Sequence, residues 1–400
     1  MFSGRIPSDF TPNHLTTLLA ERRLRGEELI DLTPSNPTRA DLSYPADLLR
    51  PLSAPEGLVY APEALGVRSA RAAVASDYAR RGLTVPIERI ALTASTSEAY
   101  SVLFKLLCDP GDEVLIPHPS YPLFEHLTRL DAITSVPYDL EYHGTWTINV
   151  PMLARQVTPR TRAVLVVSPN NPTGSYLKQQ EMDALEALCA PLGIALIVDE
   201  VFADYPLSPG RPVDVGHPVA CRETLAFSLG GLSKSVGLPQ AKLGWIALGG
   251  PPARVADAMT RLEFICDTYL SVSTAVQLAA ATLLARGADL RAAIHRRVVS
   301  NFRRLHTLSR EVPFCTVLDV EGGWYAVLQV PTLSSEEDLV VELLTTHGVV
   351  VHPGYFFDFA RESFLVVSLL TPPVVFEAGV TAILRHFNCR VGAHGGRDGS

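Results

Sequence analysis

The sequence predicts an α/β fold with a mainly parallel sheet, helices on both faces of that sheet, and a second, smaller α+β domain. Short apolar runs without alternation recur as far as residue 248, as expected for parallel strands that are covered on both faces. Amphipathic stretches such as 178–190 lie between these runs, and such strand–helix alternation is typical of parallel sheets. At 400 residues the chain also exceeds what one hydrophobic core usually serves, so two domains are expected.

The large domain is assigned to residues 51–289. Its predicted strands are 90–92, 113–116, 163–167, 194–198, 225–227 and 245–248. Residues 1–50 contain no sheet-like run, and we expect them to pack against the small domain.

The small domain is assigned to residues 290–390. A predicted helix, 290–310, leads into an alternating run, 324–328, and a second predicted helix follows at 336–347. The tail, 391–400, holds four glycines and no apolar anchor, and we expect it to be disordered.

The composition excludes several classes of protein. The net charge is −8 and there is no basic block, which argues against nucleic-acid binding. The six cysteines form no CxxC pair and have no histidines at metal-ligand spacing, so neither a disulfide framework nor a metal site is expected. The chain shows neither the apolar run of a signal peptide nor the ~18 consecutive apolar residues of a membrane helix. We therefore expect a cytoplasmic protein with reduced thiols and no membrane contact.

Lys234 lies among small residues in the segment 227–239, just after a short apolar run, and no other charged residue follows until Lys242. This setting suggests an amine held in a tight backbone cradle, where it can form a Schiff base. A loop lysine after a buried strand is the alternative. The segment alone does not decide between them, since short patterns often match by chance.

Two further polar segments follow neighbouring predicted strands, at the strand ends where open α/β sheets bind ligands. The segment 168–174 (SPNNPTG) follows the strand 163–167, and its Asn171 is either a ligand contact or an ordinary turn residue. Asp199 follows four apolar residues of the next strand, and a partly buried carboxylate needs a partner. That partner is either structural, as in a helix N-cap or a salt bridge, or a protonated heterocycle.

Asn171, Asp199 and Lys234 follow one another on successive strand ends, 28 and 35 residues apart. With this ordered set the sequence, from about Asp31 to about Leu384, resembles the class I/II aminotransferase family of fold type I pyridoxal-phosphate enzymes. The resemblance implies a seven-stranded-type sheet, pyridoxal 5'-phosphate as cofactor, and amino-acid and 2-oxo-acid substrates. It also implies a homodimer with shared active sites.

The resemblance gives each matching residue a role. Lys234 would form the Schiff base and move the proton at the substrate Cα. Asp199 would pair with the pyridinium nitrogen of the cofactor, and Asn171 with its phenolic oxygen. Tyr121, in the segment 118–122, matches the aromatic residue that stacks on the ring, and a core tyrosine is the alternative.

The cofactor phosphate is placed by the resemblance at the start of the helix predicted over 98–107. Hydroxyls and free amides at a helix N-terminus bind anions, although an N-cap is the commoner use of such a cluster. The matching residues are Ser95, Thr96, Ser233, Lys242 and, from the neighbouring subunit, Tyr60.

Four positions depart from the family pattern. Phe202 replaces a tyrosine that donates to the phenolic oxygen, Gly231 replaces a serine at the phosphate, and Lys242 replaces an arginine. Val366 stands where the family has the arginine that binds the substrate carboxylate, and valine cannot replace a bidentate contact. Either another cation binds the carboxylate, or the substrate lacks one in the usual position. Candidate substrate contacts are Asn36, Arg39, Arg361 and Tyr269, with a solvated surface role as the alternative for each arginine.

The first functional hypothesis is an aminotransferase that exchanges an amino group between an amino acid and a 2-oxo acid. Because Phe202 and Val366 alter groups that steer transamination, a pyridoxal-phosphate-dependent lyase, decarboxylase or C–C bond-forming enzyme is the alternative. A third hypothesis is a non-catalytic sensor that binds the cofactor. Sensors of this kind carry an N-terminal DNA-binding domain, for which we see no room before Tyr60.

Overall fold

The computed structural model describes residues 1–207 and 214–395, with side chains as far as residue 390. Its strands are β1 (Ile30–Asp31), β2 (Ile90–Thr93), β3 (Glu113–His118), β4 (Thr134–Tyr142), β5 (Trp146–Ile148), β6 (Thr161–Val167), β7 (Ala195–Asp199), β8 (Ala226–Gly231), β9 (Gly244–Gly249), β10 (Thr316–Val317), β11 (Tyr325–Gln329), β12 (Val349–Val350), β13 (His352–Pro353) and β14 (Phe364–Ser368). Its α-helices are α1 (His14–Leu24), α2 (Arg68–Arg80), α3 (Thr96–Leu107), α4 (Leu123–Leu130), α5 (Val150–Ala154), α6 (Gln179–Leu192), α7 (Leu232–Ser235), α8 (Pro252–Tyr269), α9 (Thr274–Arg286), α10 (Ala288–Ser309), α11 (Glu336–His347) and α12 (Pro373–Gly395).

The large domain is built on an eight-stranded sheet with the strand order β2-β9-β8-β7-β6-β3-β4-β5. Strands β8, β7, β6, β3 and β4 run parallel to their neighbours in this order. Strand β9 is antiparallel to both β2 and β8, and β5 is antiparallel to β4 at the edge of the sheet. The sheet is therefore mainly parallel, as predicted.

Strands β4 and β5 were not among the predicted strands. Strand β4 alternates between exposed and covered positions and includes Pro137, Asp139 and Glu141, so it gives no continuous apolar run. Strand β5 has only three residues. Both lie at the edge of the sheet, where one face meets solvent and the apolar signal of a fully covered strand is lost. The antiparallel direction of β9 was not predicted either, because an apolar run does not encode direction.

Helices cover both faces of this sheet. On β6, Leu165 packs with Phe104 of α3 and Leu262 of α8, whereas the neighbouring Val164 packs on the other side with Leu185 of α6. All five side chains are fully buried, and each contributes about 1.5–3 kcal/mol of transfer free energy. Burial on both faces explains why the strands of this domain are apolar throughout.

The small domain contains a four-stranded antiparallel sheet with the order β10-β11-β14-β13. The N-terminal segment joins this domain, since β1 pairs in parallel with β12 and α1 contacts α11. Residues 1–50 thus contain a short strand, although the sequence shows no sheet-like run there. A two-residue strand is too short to produce a periodic signal.

Helix α12 continues through Gly395, so the predicted disordered tail is wrong for its first five residues, 391–395. No proline interrupts this stretch, and a glycine within a helix costs only about 1 kcal/mol relative to alanine. The rest of the predicted tail, 396–400, lies outside the described residues. In the described part of the chain, the helices are too short or too polar to cross a membrane.

Candidate active site

The carboxyl ends of β6, β7 and β8 bring three of the predicted site residues to one edge of the sheet. Val167 pairs with Asp199, and Asp199 pairs with Leu229, so the three strands end side by side. Asn171 follows β6, Asp199 is the last residue of β7, and Lys234 follows β8 within the short helix α7. This is the strand edge at which open α/β sheets bind ligands.

Asp199 is a buried carboxylate, 7% exposed, and both of its oxygens accept hydrogen bonds. The hydroxyl of Tyr100 donates to Oδ2 at 2.7 Å, and the backbone N–H of Val201 donates to Oδ1 at 3.0 Å. Burial raises the pKa of Asp199 to about 6, and these two donors oppose that rise. The sequence did not identify Tyr100, because a tyrosine on the covered face of a helix has the same pattern as a core residue.

Lys234 is held by hydrogen bonds to two distant segments. Its Nζ donates to the backbone oxygen of Ser35 at 3.2 Å, and the Tyr205 hydroxyl donates to the backbone oxygen of Lys234. Burial lowers the pKa of Lys234 to about 8, and the charge of Asp199 partly opposes this shift. A larger fraction of this amine is therefore neutral near pH 7 than for an ordinary lysine, although most of it remains protonated. The Ser35 contact joins segments 199 residues apart, so the sequence carried no local signal for it.

Asn171 has a buried side chain whose Oδ1 has no hydrogen-bond partner among the described residues. An unsatisfied buried polar group costs about 1–3 kcal/mol, so this amide is suited to a ligand that supplies the missing partner. The neighbouring Asn170 is fully used within the protein. It accepts from Ser120 Oγ at 3.1 Å and donates to the backbone oxygen of Pro119 at 3.0 Å.

Those Asn170 contacts position the loop that carries Tyr121. The backbone N–H of Ser120 also donates to the oxygen of Phe357 at 2.9 Å, which ties this loop to the small domain. The Tyr121 ring is 44% exposed and meets Phe124 edge-on, with 6.5 Å between the ring centroids. Tyr121 is thus not the core residue of the alternative hypothesis, and its ring is available for stacking.

Four of the expected phosphate residues, Ser95, Thr96, Ser233 and Lys242, flank the ends of β2 and β8 and the start of β9. Gly244 at the start of β9 pairs with Thr93 of β2 and with Gly231 of β8. Ser95 caps helix α3, whose first backbone amide lies against this glycine, since a Cβ on Gly244 would stand 3.1 Å from the nitrogen of Thr96. The absence of a side chain at Gly244 therefore lets an anion-binding helix N-terminus approach the sheet edge.

Ser233 and Lys242 lie just outside the same edge of the sheet. Ser233 comes two residues after Gly231, where β8 ends, and Lys242 comes two residues before Gly244, where β9 begins. The structure also explains the glycine at 231. A Cβ at this position would lie 3.0 Å from the backbone oxygen of Leu243, so a serine there would force the two strands to shift. The serine hydroxyl that relatives offer to the phosphate at this position is therefore absent here, where β8 and β9 lie too close for a side chain.

Glu200, next to Asp199, is a buried carboxylate with partners of its own. Arg81 lies 3.4 Å from its Oε2, His217 lies 3.6 Å from its Oε1, and Ser228 donates to it. Burial acts to raise the pKa of Glu200, but Arg81 and His217 outweigh it and bring the pKa to about 2. Glu200 therefore stays ionised as part of an ion pair, and Asp199 remains the carboxylate available to a ligand.

The structure does not place Tyr60 and Tyr269 beside Lys234. Tyr60 is 74% exposed and Tyr269 57% exposed, and both line one surface cleft together with Glu98 of α3. Neither tyrosine completes the site of its own chain in this arrangement.

The two candidate arginines lie in different places. Arg39 is exposed in a short 3₁₀ helix, Pro37–Arg39, just after the Ser35 contact, and Asn36 caps that helix by accepting from Thr38. Arg361 instead packs its guanidinium 5.8 Å from the centre of the Phe364 ring, at the far end of β14 from the N-terminal segment.

The other end of β14 is the one that meets the N-terminal segment. There Ser368 Oγ donates to the backbone oxygen of Pro34 at 2.6 Å. A five-residue strand spans about 13–17 Å, so Arg361 is remote from the segment that contacts Lys234. Val366, in the middle of β14, is fully buried between Val327 and His352. The geometry therefore favours Arg39 over Arg361 as a substrate contact.

The residues at this edge fit pyridoxal phosphate, the cofactor that the resemblance implies. A lysine amine, a buried carboxylate and a buried amide with an unpaired oxygen meet the needs of its aldehyde, its ring nitrogen and its phenolic oxygen. The cap of helix α3 offers backbone amides and hydroxyls to its phosphate.

Comparison with known proteins agrees with this geometry. A sequence model of the family described as "Aminotransferase class I and II" matches residues 59–382. The glutamate-pyruvate aminotransferase AlaA of Haemophilus influenzae is 25% identical over 390 residues, covering 94% of each chain. The valine–pyruvate aminotransferase of Mycobacterium tuberculosis is 28% identical over 325 residues, covering 80% of this chain and 81% of the relative. The solved structure of alanine aminotransferase from Pyrococcus furiosus superposes with a TM-score of 0.86 at 21% identity, covering 98% of this chain and 100% of that one.

Proposed function

The chain belongs to the class I and II aminotransferases, a pyridoxal-phosphate-dependent family, and we propose that Lys234, Asp199 and Asn171 are the core of its active site. The enzyme exchanges an amino group between an amino acid and a 2-oxo acid. The observation that carries the site assignment is the convergence of these three side chains on the ends of adjacent parallel strands. No observation favours the lyase, decarboxylase or C–C bond-forming alternative.

When bound, pyridoxal phosphate supplies an aldehyde that condenses with amines and a ring that withdraws electrons from the substrate Cα. Asp199, whose two oxygens are fixed by Tyr100 and by the Val201 backbone, would hold a proton at the ring nitrogen. Asn171 would pair with the phenolic oxygen, and Tyr121 would stack on the ring. Lys234, whose pKa is about 8, would take the proton from Cα as a general base and pass it to the carbon of the cofactor that carries the amino group, and it would run this transfer in the opposite direction with the 2-oxo acid.

We propose the amides at the start of α3, the hydroxyls of Ser95, Thr96 and Ser233, and the charge of Lys242 as the phosphate contacts. These groups meet at the edge formed by β2, β9 and β8. A lysine offers a point charge where arginine would offer a planar fork, so the backbone amides carry more of the phosphate binding here.

We propose alanine and pyruvate as one substrate pair, with Arg39 as the contact for the substrate carboxylate. Relatives named for pyruvate or alanine support the pair, and the position of Arg39 after Ser35 supports the contact. With alanine and 2-oxoglutarate we expect equal amounts of pyruvate and glutamate. Carbon dioxide, or ammonia without a matching amino product, would contradict aminotransfer.

The same assay tests the carboxylate contact. Arg39→Ala should raise KM for alanine by about tenfold or more, because a charge-assisted contact is lost. Arg361→Ala, which removes an arginine at the far end of β14, is the matched control and should leave KM unchanged. Equal KM values for both variants and the wild type would remove Arg39 from the site.

We also propose a homodimer with shared active sites. Leu58, Val59 and Tyr60 are 89%, 65% and 74% exposed, and the adjoining cleft is lined by Tyr60 and Tyr269. Clustered exposed apolar side chains mark interaction surfaces, and a second copy of the chain would let Tyr60 reach the partner's phosphate site. The reducing cytoplasm is the proposed location, since each of the six cysteines is unpaired.

Leu58→Glu should convert the dimer to a monomer and reduce activity together with cofactor retention, because it places a charge in an apolar interface. Light scattering coupled to size-exclusion chromatography measures the mass. Val374→Glu, on α12 with 83% exposure, is the matched control and should remain dimeric. A wild-type protein that is monomeric and fully active would overturn the proposal.

A further inference from the structure

The Lys234 amine lies against two aromatic faces. Its Nζ is 4.8 Å from the centroid of the Trp324 ring and 5.6 Å from the centroid of the Phe202 ring. Both distances lie within the ~6 Å at which a cation is attracted to the face of an aromatic ring. The backbone oxygen of Ser35, 3.2 Å away, accepts from the same nitrogen. One ammonium group thus has two rings and one carbonyl around it.

The two rings are fixed by packing. Trp324 is 1% exposed and Phe202 4% exposed. They meet edge-to-face with 5.3 Å between centroids, and Tyr205 meets Trp324 at 5.2 Å in the same way. Tyr205 also holds the backbone of Lys234 through its hydroxyl. Both rings are therefore held by contacts with other parts of the protein as well as by the amine.

We propose that Phe202 and Trp324 form a seat that holds the Lys234 ammonium whenever the amine is free of cofactor and substrate. Such a state occurs in each catalytic cycle under the proposed function, on which this inference rests. Burial destabilises the charged form of this amine. The Asp199 carboxylate, the Ser35 oxygen and the two ring faces each stabilise the charged form and so offset part of that cost. Phe202 and Trp324 are thus positioning residues, since they act through Lys234.

The seat explains what phenylalanine does at position 202. A phenylalanine offers no donor to the phenolic oxygen of the cofactor, but its ring face serves the ammonium as well as that of tyrosine. Among charged groups, Asp199 acts on Lys234 directly, and Tyr100 and Glu200 act on Asp199 in turn. Substitutions that leave these three residues intact therefore isolate the contribution of the rings.

The test uses the full-length protein freed of cofactor. Trace acetic anhydride acetylates neutral amines, and peptide mass spectrometry follows Lys234 and the surface residue Lys105 across a pH series in the same sample. We expect Phe202→Leu to lower the midpoint of Lys234 acetylation by about half to one pH unit, equivalent to about a threefold to tenfold faster reaction below the midpoint. The rate at high pH reports access to the amine, so a change in access alone would leave the midpoint in place.

Phe202→Tyr keeps the ring face and should keep the wild-type midpoint, and Lys105 should not respond to either substitution. Trp324→Leu should act as Phe202→Leu does. If that variant fails to fold, as judged by circular dichroism, the Phe202 pair decides alone. An unchanged midpoint in folded Phe202→Leu, or the same shift in Phe202→Tyr, overturns the seat. The acetylation test does not depend on activity. If a separate assay found Lys234→Ala active while the acetylation midpoint shifted as expected, the proposed function would be contradicted and the seat would stand.

Discussion

Replacing Lys234 by alanine should lower kcat for amino transfer by roughly 10³-fold or more, because one side chain supplies both the covalent attachment and the general base. The residue has the properties that this chemistry requires. Its amine donates to the backbone oxygen of Ser35, and burial lowers its pKa to about 8. Coupled assays of pyruvate formation measure the loss.

Two further variants make this prediction specific. Lys234→Arg keeps a positive charge but cannot act as a base near neutral pH, so it should be nearly as inactive as the alanine variant. Lys105→Ala removes a lysine that pairs with Asp131 at the surface and should retain wild-type kcat. A Lys234→Ala enzyme within tenfold of wild type would show that another amine does the chemistry.

Replacing Asp199 by asparagine should lower kcat by about 10²–10³-fold, the usual loss when a group that stabilises developing charge is removed. Asparagine keeps the size of the side chain and can still accept from Tyr100, but it cannot hold a proton on the ring nitrogen. Glu113→Gln is the control, since this carboxylate pairs with Arg160 at the start of β3, away from the strand ends that carry the site, and it should retain wild-type kcat. Asp199→Asn should bind cofactor more weakly, and wild-type kcat in this variant would contradict the role of Asp199.

Tyr100→Phe tests the role of Asp199 with a smaller change, because it removes one hydrogen bond to the carboxylate and leaves the carboxylate itself in place. A hydrogen bond to a charged group contributes about 1.5–3 kcal/mol, so a loss of about tenfold to hundredfold in kcat is expected. Tyr100 donates to the ionised carboxylate and lowers its pKa, so removing the donor should raise the pKa of Asp199 above about 6. Activity requires the ionised form, and the acid limb of kcat/KM should therefore move to higher pH. Tyr138→Phe, which removes a buried hydroxyl bonded to Leu165, should not move it.

The sequence predicted the features that depend on local pattern. Continuous apolar runs gave six of the eight strands of the large sheet, and the segments that follow three of them gave Asn171, Asp199 and Lys234. Such prediction works because strand ends of a parallel sheet meet at one edge, so order along the chain translates into proximity.

Other features depend on contacts between distant segments and left no local signal. Tyr100 reaches Asp199 across 99 residues, and Ser35 reaches Lys234 across 199. The difference between Arg39 and Arg361 follows from which end of β14 meets Pro34, and no pattern within either segment contains that information. Strand β5 and the two-residue β1 were too short for any periodicity to reveal.

The position of Phe202 shows how the two kinds of information combine. The sequence identified it as the loss of a hydroxyl donor at the cofactor. The structure shows the same ring, together with Trp324, against the Lys234 amine. Phe202 therefore lacks the hydroxyl that would contact the cofactor, and we propose that its ring instead helps to hold the Lys234 amine.

Every proposed step of the amino transfer depends on Lys234 as the amine that carries the cofactor. Reduction of the purified holoenzyme with borohydride followed by proteolysis and mass spectrometry locates the phosphopyridoxyl group directly. We predict that the modified peptide contains Lys234, and that the modification is absent from Lys234→Ala treated in parallel. Stoichiometric modification of Lys242 or Lys105 instead, with Lys234 unmodified, would contradict the central claim.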